Sequence, residues 1–159
     1  IEAIVSTFFD EIVRRLAEDG RVELRGFDDD VVADLGLQVV LATSAPDDEL
    51  RTLREVLDCE DIISAVTSSE DVDTAKPKPD IVQVALDRAG VSAQEAVFVG
   101  DAVWDCEAAR RAEVVSIGVL SGGVSRGELS EAGAAAVFEN AAELLAEVDS
   151  TPIGKLISG

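Results

Sequence analysis

Short apolar runs alternate along the chain with longer stretches in which apolar residues recur every three or four positions. The runs are continuously apolar, which is typical of a parallel sheet covered by helices on both faces. Alternating strand and helix signals predict a single α/β domain. Six strands are predicted, at Ile1–Val5, Leu37–Ala42, Ile62–Val66, Ala96–Val99, Val114–Ile117 and Ala135–Phe138.

Helix start and stop signals occupy the stretches between these strands. Gly20 and Gly90 are the residues at which two of the helices should end. Asn140 and Glu143 form a pair typical of a helix N-terminus, and they place a helix near the end of the chain. Helices are predicted to start at or next to Thr7, Ser44, Pro79, Asp101 or Val103, and Asn140.

The composition is that of a folded, strongly acidic protein. Of the 159 residues, 47% are hydrophobic, and 13 basic against 33 acidic residues give a formal net charge of −20. A disordered acidic chain is poor in apolar residues, so this class is excluded. Nucleic acid and anionic membrane surfaces need a basic face, so we expect neither as a partner.

No targeting or metal-binding cysteine pattern is present. No apolar run reaches the roughly 18 residues of a membrane span, and no basic-then-apolar signal peptide opens the chain. Cys59 and Cys106 lack the spacing of a zinc site or a disulfide framework. We expect a cytoplasmic protein, a monomer or homodimer. The chain contains no Met and begins at Ile1, which indicates that it is not the whole gene product.

The first of three segments that could carry chemistry follows the second predicted strand. There Leu41 and Ala42 lead into Thr43 and Ser44 at a helix start. A hydroxyl and free backbone N–H groups at a helix N-terminus suit a phosphate oxygen. The alternative is that Ser44 only caps the helix.

The second segment is AKPKPD, which contains Lys76. Two of the three lysines of the chain lie in it, Lys76 and Lys78, in a turn stiffened by prolines. A lysine held in this way could neutralise a phosphoryl group during its transfer. The alternative is a solvated charged loop.

The third segment is VFVGDAVWD, in which an apolar strand ends at Gly100 and Asp101. Asp105 follows one helical turn later, on the same side of a helix start. Two carboxylates with room for water suit Mg²⁺, although acids also favour a helix N-terminus without any metal. Trp104, between the two acids, either lines the entrance to the site or packs in the core.

Together these segments resemble the haloacid dehalogenase superfamily of Mg²⁺-dependent phosphatases and mutases, in the branch with a small helical cap. The resemblance covers roughly Gly36 to Val148. It implies a Rossmann-like parallel sheet flanked by helices. It also divides the chain into a core, residues 1–5 and 21–159, and a remnant of the cap, residues 6–20.

The resemblance implies a role for each segment. Thr43 and the backbone N–H of Ser44 would bind the phosphoryl group, Lys76 would stabilise its charge, and Asp101 and Asp105 would hold Mg²⁺. The implied activity is hydrolysis of a small phosphorylated metabolite through an aspartyl-phosphate. A hexose-phosphate mutase and a non-catalytic phosphate-binding protein remain as alternatives.

The sequence departs from the family pattern at two places. The family's D-x-D-G motif, which supplies the nucleophile after the first strand, has no counterpart near Asp10 or in 28–30. Either a catalytic loop and most of the cap are missing between Val5 and Ser6, or the protein is a pseudoenzyme. Glu113 stands where the family often has Gly after a helix, and in a left-handed cap it would cost about 1 kcal/mol.

Overall fold

A computed structural model describes residues 2–6, 37–42, 48, 51, 65–67 and 80–158. Its strands are β1 (Glu2–Ser6), β2 (Leu37–Ala42), β3 (Ala65–Thr67), β4 (Ala96–Gly100), β5 (Val115–Val119) and β6 (Ala136–Phe138). Its α-helices are α1 (Asp80–Ala89), α2 (Val103–Arg111), α3 (Arg126–Ala132), α4 (Ala141–Ala146) and α5 (Pro152–Ser158). No helix in the described part is long and apolar enough to cross a membrane.

The strands form one parallel sheet in the order β3-β2-β1-β4-β5-β6. This confirms the predicted α/β class and its Rossmann-like sheet. All six predicted strands are present, with shifted ends at several of them. Strand β1 runs to Ser6, which pairs with Leu41 and Val99, so this residue belongs to the sheet rather than to the predicted cap segment. Residues 7–20 lie outside the described residues.

Both faces of the sheet are covered, as the continuous apolar runs predict. Phe98 of β4 packs in a cluster with residues of α1 and α2, including Ile81 and Ala109. Its neighbour Val99 packs in a second cluster with Leu144 and residues near α5. Successive residues of a strand point to opposite faces, so β4 is buried from both sides and ends in a fixed position at the site edge.

Two helices, α3 and α5, were not predicted from the sequence. Helix α3 has a complete start signal, because the Ser125 hydroxyl accepts the Glu128 N–H and the Glu128 carboxylate accepts the Ser125 N–H. It ends at Gly133 in a left-handed conformation. Helix α5 begins with Pro152 at its first position, after Thr151, whose hydroxyl accepts the Gly154 N–H. The start signals of both helices are therefore present in the sequence.

Helix α2 ends in a left-handed residue that is not glycine. The Val114 N–H bonds to the Ala109 oxygen and the Glu113 N–H to the Arg110 oxygen, which is the Schellman arrangement. Glu113 has φ +62°, the left-handed conformation that costs a residue with a Cβ about 1 kcal/mol. The equivalent positions after α1 and α3 are Gly90 and Gly133. Because the Val114 N–H is bonded to the end of α2, it is not available to the sheet. Strand β5 therefore begins at Val115, one residue later than predicted.

Glu113→Gly is expected to raise the free energy of unfolding by about 1 kcal/mol, because glycine adopts this conformation without a Cβ clash. Thermal unfolding should shift upward by about 2–4 °C. The matched control is Glu131→Gly, an exposed position inside α3, where the same substitution should destabilise by about 0.5–1 kcal/mol. Equal effects at the two positions would contradict the account of Glu113.

Candidate functional site

The order of the strands fixes where a ligand should bind. The chain moves outward from β1 through β2 to β3 and then returns to the other side of β1 with β4. In an open parallel sheet, the crevice beyond the carboxyl ends at such a switch point is the ligand-binding position. The residues that follow β1 and β4 are thus the candidates for the centre of the site.

The third predicted segment leaves the sheet at this switch point. Strand β4 ends at Gly100, beside the end of β1, and Asp101 follows directly. Asp105 lies in the first turn of α2 and is 3% exposed. Its Oδ2 accepts a hydrogen bond from the Ala102 N–H at 3.3 Å. The start of α2 therefore holds one carboxylate in place, while Asp101 is partly exposed.

Both carboxylates pack against the backbone of a glycine. A Cβ on Gly100 would lie 2.6 Å from the Cβ of Asp105 and 2.7 Å from its Oδ2. A Cβ on Gly122 would meet the carboxylate of Asp101 and would lie 2.6 Å from the backbone oxygen of that residue. The sequence indicates Gly100 as part of the segment, but no local pattern connects Gly122 with Asp101.

The two aspartates fit Mg²⁺ as a donor set. Mg²⁺ prefers oxygen ligands, and its protein sites often use one or two carboxylates together with water and substrate phosphate. Within the described residues no cluster of three His, Cys, Asp or Glu side chains suited to a metal is present. The glycine contacts leave room for both carboxylates at the sheet edge, where Asp101 is still accessible from solvent.

Cys106 is next to Asp105 but is no candidate for a nucleophile. Its thiol is fully buried and free. Burial raises its pKa above the usual thiol value. A hydrogen bond with Ser116 acts in the opposite direction, and the carboxylates of Asp105 and Asp101 raise the pKa further. The thiol is therefore protonated at neutral pH, whereas nucleophilic attack needs the thiolate.

Trp104 is exposed to solvent at the start of α2. It lies in the first turn of α2, between the two aspartates, and its exposed fraction is 57%. Of the two interpretations of this residue, packing in the core is wrong. As the only Trp of the chain, it is also an optical probe of this edge of the sheet.

The other predicted site residues, Thr43, Ser44 and Lys76, lie outside the described residues, and their roles stay predictions. Strand β2 ends at Ala42, the residue before Thr43, and Ala42 is fully buried. Helix α1 begins at Asp80, shortly after the lysine segment, and ends at Ala89, followed by Gly90 with φ +68°. The predicted helix start at Pro79 and stop at Gly90 agree with these bounds.

Comparisons with known proteins point to one family. A model of the haloacid dehalogenase-like hydrolases matches residues 7–113. The phosphoglycolate phosphatase of Escherichia coli (strain K12) is 33% identical over 121 residues, 75% of this chain and 48% of that protein. The phosphoglycolate phosphatase of Rhodospirillum rubrum is 35% identical over 109 residues, 69% of this chain and 45% of that protein.

A solved structure agrees with these relatives. A hydrolase from Pseudomonas syringae superposes with a TM-score of 0.69 at 33% sequence identity, covering 86% of this chain and 64% of that one. The chain spans about half the length of the curated relatives it matches.

Proposed function

Because the chain belongs to the haloacid dehalogenase-like hydrolase family, we propose that this protein is a Mg²⁺-dependent phosphatase acting on a small phosphorylated metabolite. The observation that carries the proposal is the pair Asp101 and Asp105 at the switch point of the sheet. Each carboxylate packs on a glycine, one at the end of β4 and one after β5. The hydroxyl and lysine groups predicted in the two other segments would add phosphate-binding groups to this pair.

Each residue has a distinct part in the proposed reaction. Asp101 and Asp105 would hold Mg²⁺, which supplies positive charge against the repulsion between a phosphate and an attacking carboxylate. The Ala102 N–H orients the Asp105 carboxylate through its hydrogen bond. Thr43 and the Ser44 N–H would bind a phosphate oxygen, and the Lys76 ammonium would bind another.

The covalent step needs a carboxylate on the loop after the first strand. In the family pattern this is the first Asp of D-x-D-G, and it would attack phosphorus while the ester oxygen leaves with a proton donated by the second Asp of the motif. Water then hydrolyses the aspartyl-phosphate, which releases phosphate and restores the carboxylate. Strand β1 ends at Ser6 beside Val99, so a loop that follows it starts next to the Asp101 segment.

The acidity of the protein determines how the substrate is captured. A net charge of −20 repels a phosphate ester at long range. Capture must therefore depend on local positive charge, from Lys76 and the metal. The relatives' name makes 2-phosphoglycolate, a small phosphorylated acid, the first substrate to test.

Protein expressed from the complete gene is expected to hydrolyse 2-phosphoglycolate and p-nitrophenyl phosphate in the presence of Mg²⁺. EDTA should abolish phosphate release, and excess Mg²⁺ should restore it, because the two carboxylates would repel an anionic phosphate ester unless a cation offset their charge. Phosphate release that is insensitive to EDTA would contradict the metal role.

Further measurements on the same protein distinguish the two alternatives. The lack of a D-x-D-G motif in the chain favours a non-catalytic phosphate-binding protein. Such a protein would bind Mg²⁺ and phosphate in a calorimeter but release no phosphate from either ester. A hexose-phosphate mutase would isomerise a hexose phosphate without net release of phosphate.

A further inference from the structure

We propose that Gly122 is a positioning residue for Asp101, and that its missing side chain is what lets this carboxylate reach the metal. The inference rests on the proposed function, since it concerns a predicted Mg²⁺ ligand. It adds the turn after β5 to the elements that build the site. This turn spans Leu120–Gly122 and is followed by Gly123.

The two consecutive glycines of this turn are needed for different reasons. Gly123 has φ +76°, and its N–H bonds to the Leu120 oxygen, so a left-handed residue closes the turn. A Cβ there would meet nothing within 4 Å. Gly122 is not among the glycines with positive φ, so its backbone conformation is open to other residues. What restricts Gly122 is space.

Asp101 occupies that space. A Cβ on Gly122 would meet the Oδ2 of Asp101 and would lie 2.6 Å from its Cγ and 2.6 Å from its backbone oxygen. Rotating the carboxylate would relieve only part of this overlap, because the backbone oxygen cannot rotate away. A side chain at position 122 must therefore displace the main chain of Asp101 or of the turn itself.

The pairing of β4 with β5 limits how far the main chain can shift to relieve this overlap. Gly100 of β4 pairs with Gly118 of β5, so the segments that carry Asp101 and Gly122 start from neighbouring, hydrogen-bonded positions. Mg²⁺ tolerates little departure from octahedral geometry. A displacement of about 1 Å in a positioned catalytic group can cost about 100-fold in activity.

The test is the Mg²⁺ affinity of Gly122→Ala, followed by calorimetry and by the fluorescence of Trp104, the only Trp. We expect the affinity to fall about 10–100-fold, the range for lost support of a metal ligand. Gly123→Ala should unfold at a lower temperature, because of its left-handed φ, but bind Mg²⁺ as before. Gly127→Ala, with open space around its Cβ and no positive φ, should bind Mg²⁺ as before and unfold at an equal or slightly higher temperature, because Gly127 lies in α3.

The outcomes separate the inference from the proposed function. If the unchanged protein binds no Mg²⁺, the metal site is wrong and the role of Gly122 is wrong with it. If the unchanged protein binds Mg²⁺ and Gly122→Ala binds it equally well, only the inference is wrong. Equal losses of affinity in Gly122→Ala and Gly123→Ala would also overturn it, because the stability of the turn would then explain both.

A second measurement on the unchanged protein covers the case in which Gly122→Ala does not fold. Mn²⁺ in place of Mg²⁺ broadens the NMR signals of nuclei close to the metal. The amide signals of Gly122 and Asp101 should broaden together, and more strongly than that of Gly90, which follows the C-terminal end of α1. A sharp Gly122 signal beside a broadened Asp101 signal would overturn the proposal.

Discussion

Phe98→Ala is expected to lower the free energy of unfolding by about 3–5 kcal/mol, the range for truncating a buried aromatic residue. The side chain is fully buried in the middle of β4. It packs in the cluster formed with α1 and α2, where Val40, Ile81 and Ala109 surround it. Alanine would lose the apolar burial and leave a cavity, because the surrounding helices and strands relax only partially around the smaller side chain.

Urea unfolding measures this loss, because the free energy of unfolding in water equals the midpoint urea concentration multiplied by the slope m. The total stability of a domain is commonly about 5–15 kcal/mol, so this substitution would remove a large part of it. Val115→Ala is the matched control. This residue lies at the start of the neighbouring strand β5 with 45% of its surface exposed, and its truncation should cost well under 1.5 kcal/mol. Similar losses for both variants would contradict the placement of Phe98.

The sheet could be predicted from the sequence because its signals are local. Strand β4 is buried along its whole length, and its apolar run is uninterrupted up to Gly100. The left-handed position of Glu113 could be predicted as well, from one residue that departs from a family pattern. Helix α3 was missed although Ser125, Glu128 and Gly133 mark its two ends. The helix has only 7 residues, which is too few for a clear helical repeat of apolar positions. Only the signals at its two ends could therefore have identified it.

The candidate site was predicted only where its residues are close in sequence. Asp101 and Asp105 are one helical turn apart, so the spacing itself brings them to one helix start. Gly122 reaches Asp101 through the pairing of β4 with β5, which is tertiary information. Thr43 and Lys76 lie outside the described residues, and the family pattern remains their support.

The two glycine contacts change the interpretation of the GD-x-x-x-D segment. From the sequence, its acids could serve a metal or only the helix N-terminus. An acid that only stabilises a helix N-terminus does not need to pack against another segment of the chain. Asp105 has such a stabilising contact, because its carboxylate accepts a hydrogen bond from the Ala102 N–H. Asp101 precedes the helix, and its carboxylate lies against the turn of another strand. The helix alone does not explain that arrangement, whereas the proposed metal site at the ends of β4 and β5 would.

Asp101→Asn is expected to lower the affinity for Mg²⁺ by about 100-fold or more and to abolish Mg²⁺-dependent phosphate release. Asparagine has nearly the shape of aspartate, so it keeps the packing on Gly122 and removes only the charge. Mg²⁺ is usually bound by only one or two carboxylates together with water and phosphate, so the loss of one charged ligand is severe. The loss should therefore exceed the 10–100-fold typical of a residue that only supports a ligand.

Thermal unfolding with and without Mg²⁺ checks this expectation independently of activity. A ligand at 100 times its dissociation constant stabilises the folded state by about 2.7 kcal/mol, so Mg²⁺ should raise the unfolding temperature of the unchanged protein. Asp101→Asn should lose this rise, while its stability in EDTA stays within about 1 kcal/mol of the unchanged protein.

Asp87→Asn is the matched control for charge. Asp87 is exposed in the last turn of α1 and accepts a hydrogen bond from Gln83. It carries the same single charge as Asp101, but it lies at the C-terminal end of the helix that connects β3 to β4. It should keep the full response to Mg²⁺. An equal response in Asp101→Asn and the unchanged protein would exclude Asp101 as a ligand. Equal losses in both variants would instead assign the response to the overall charge of −20.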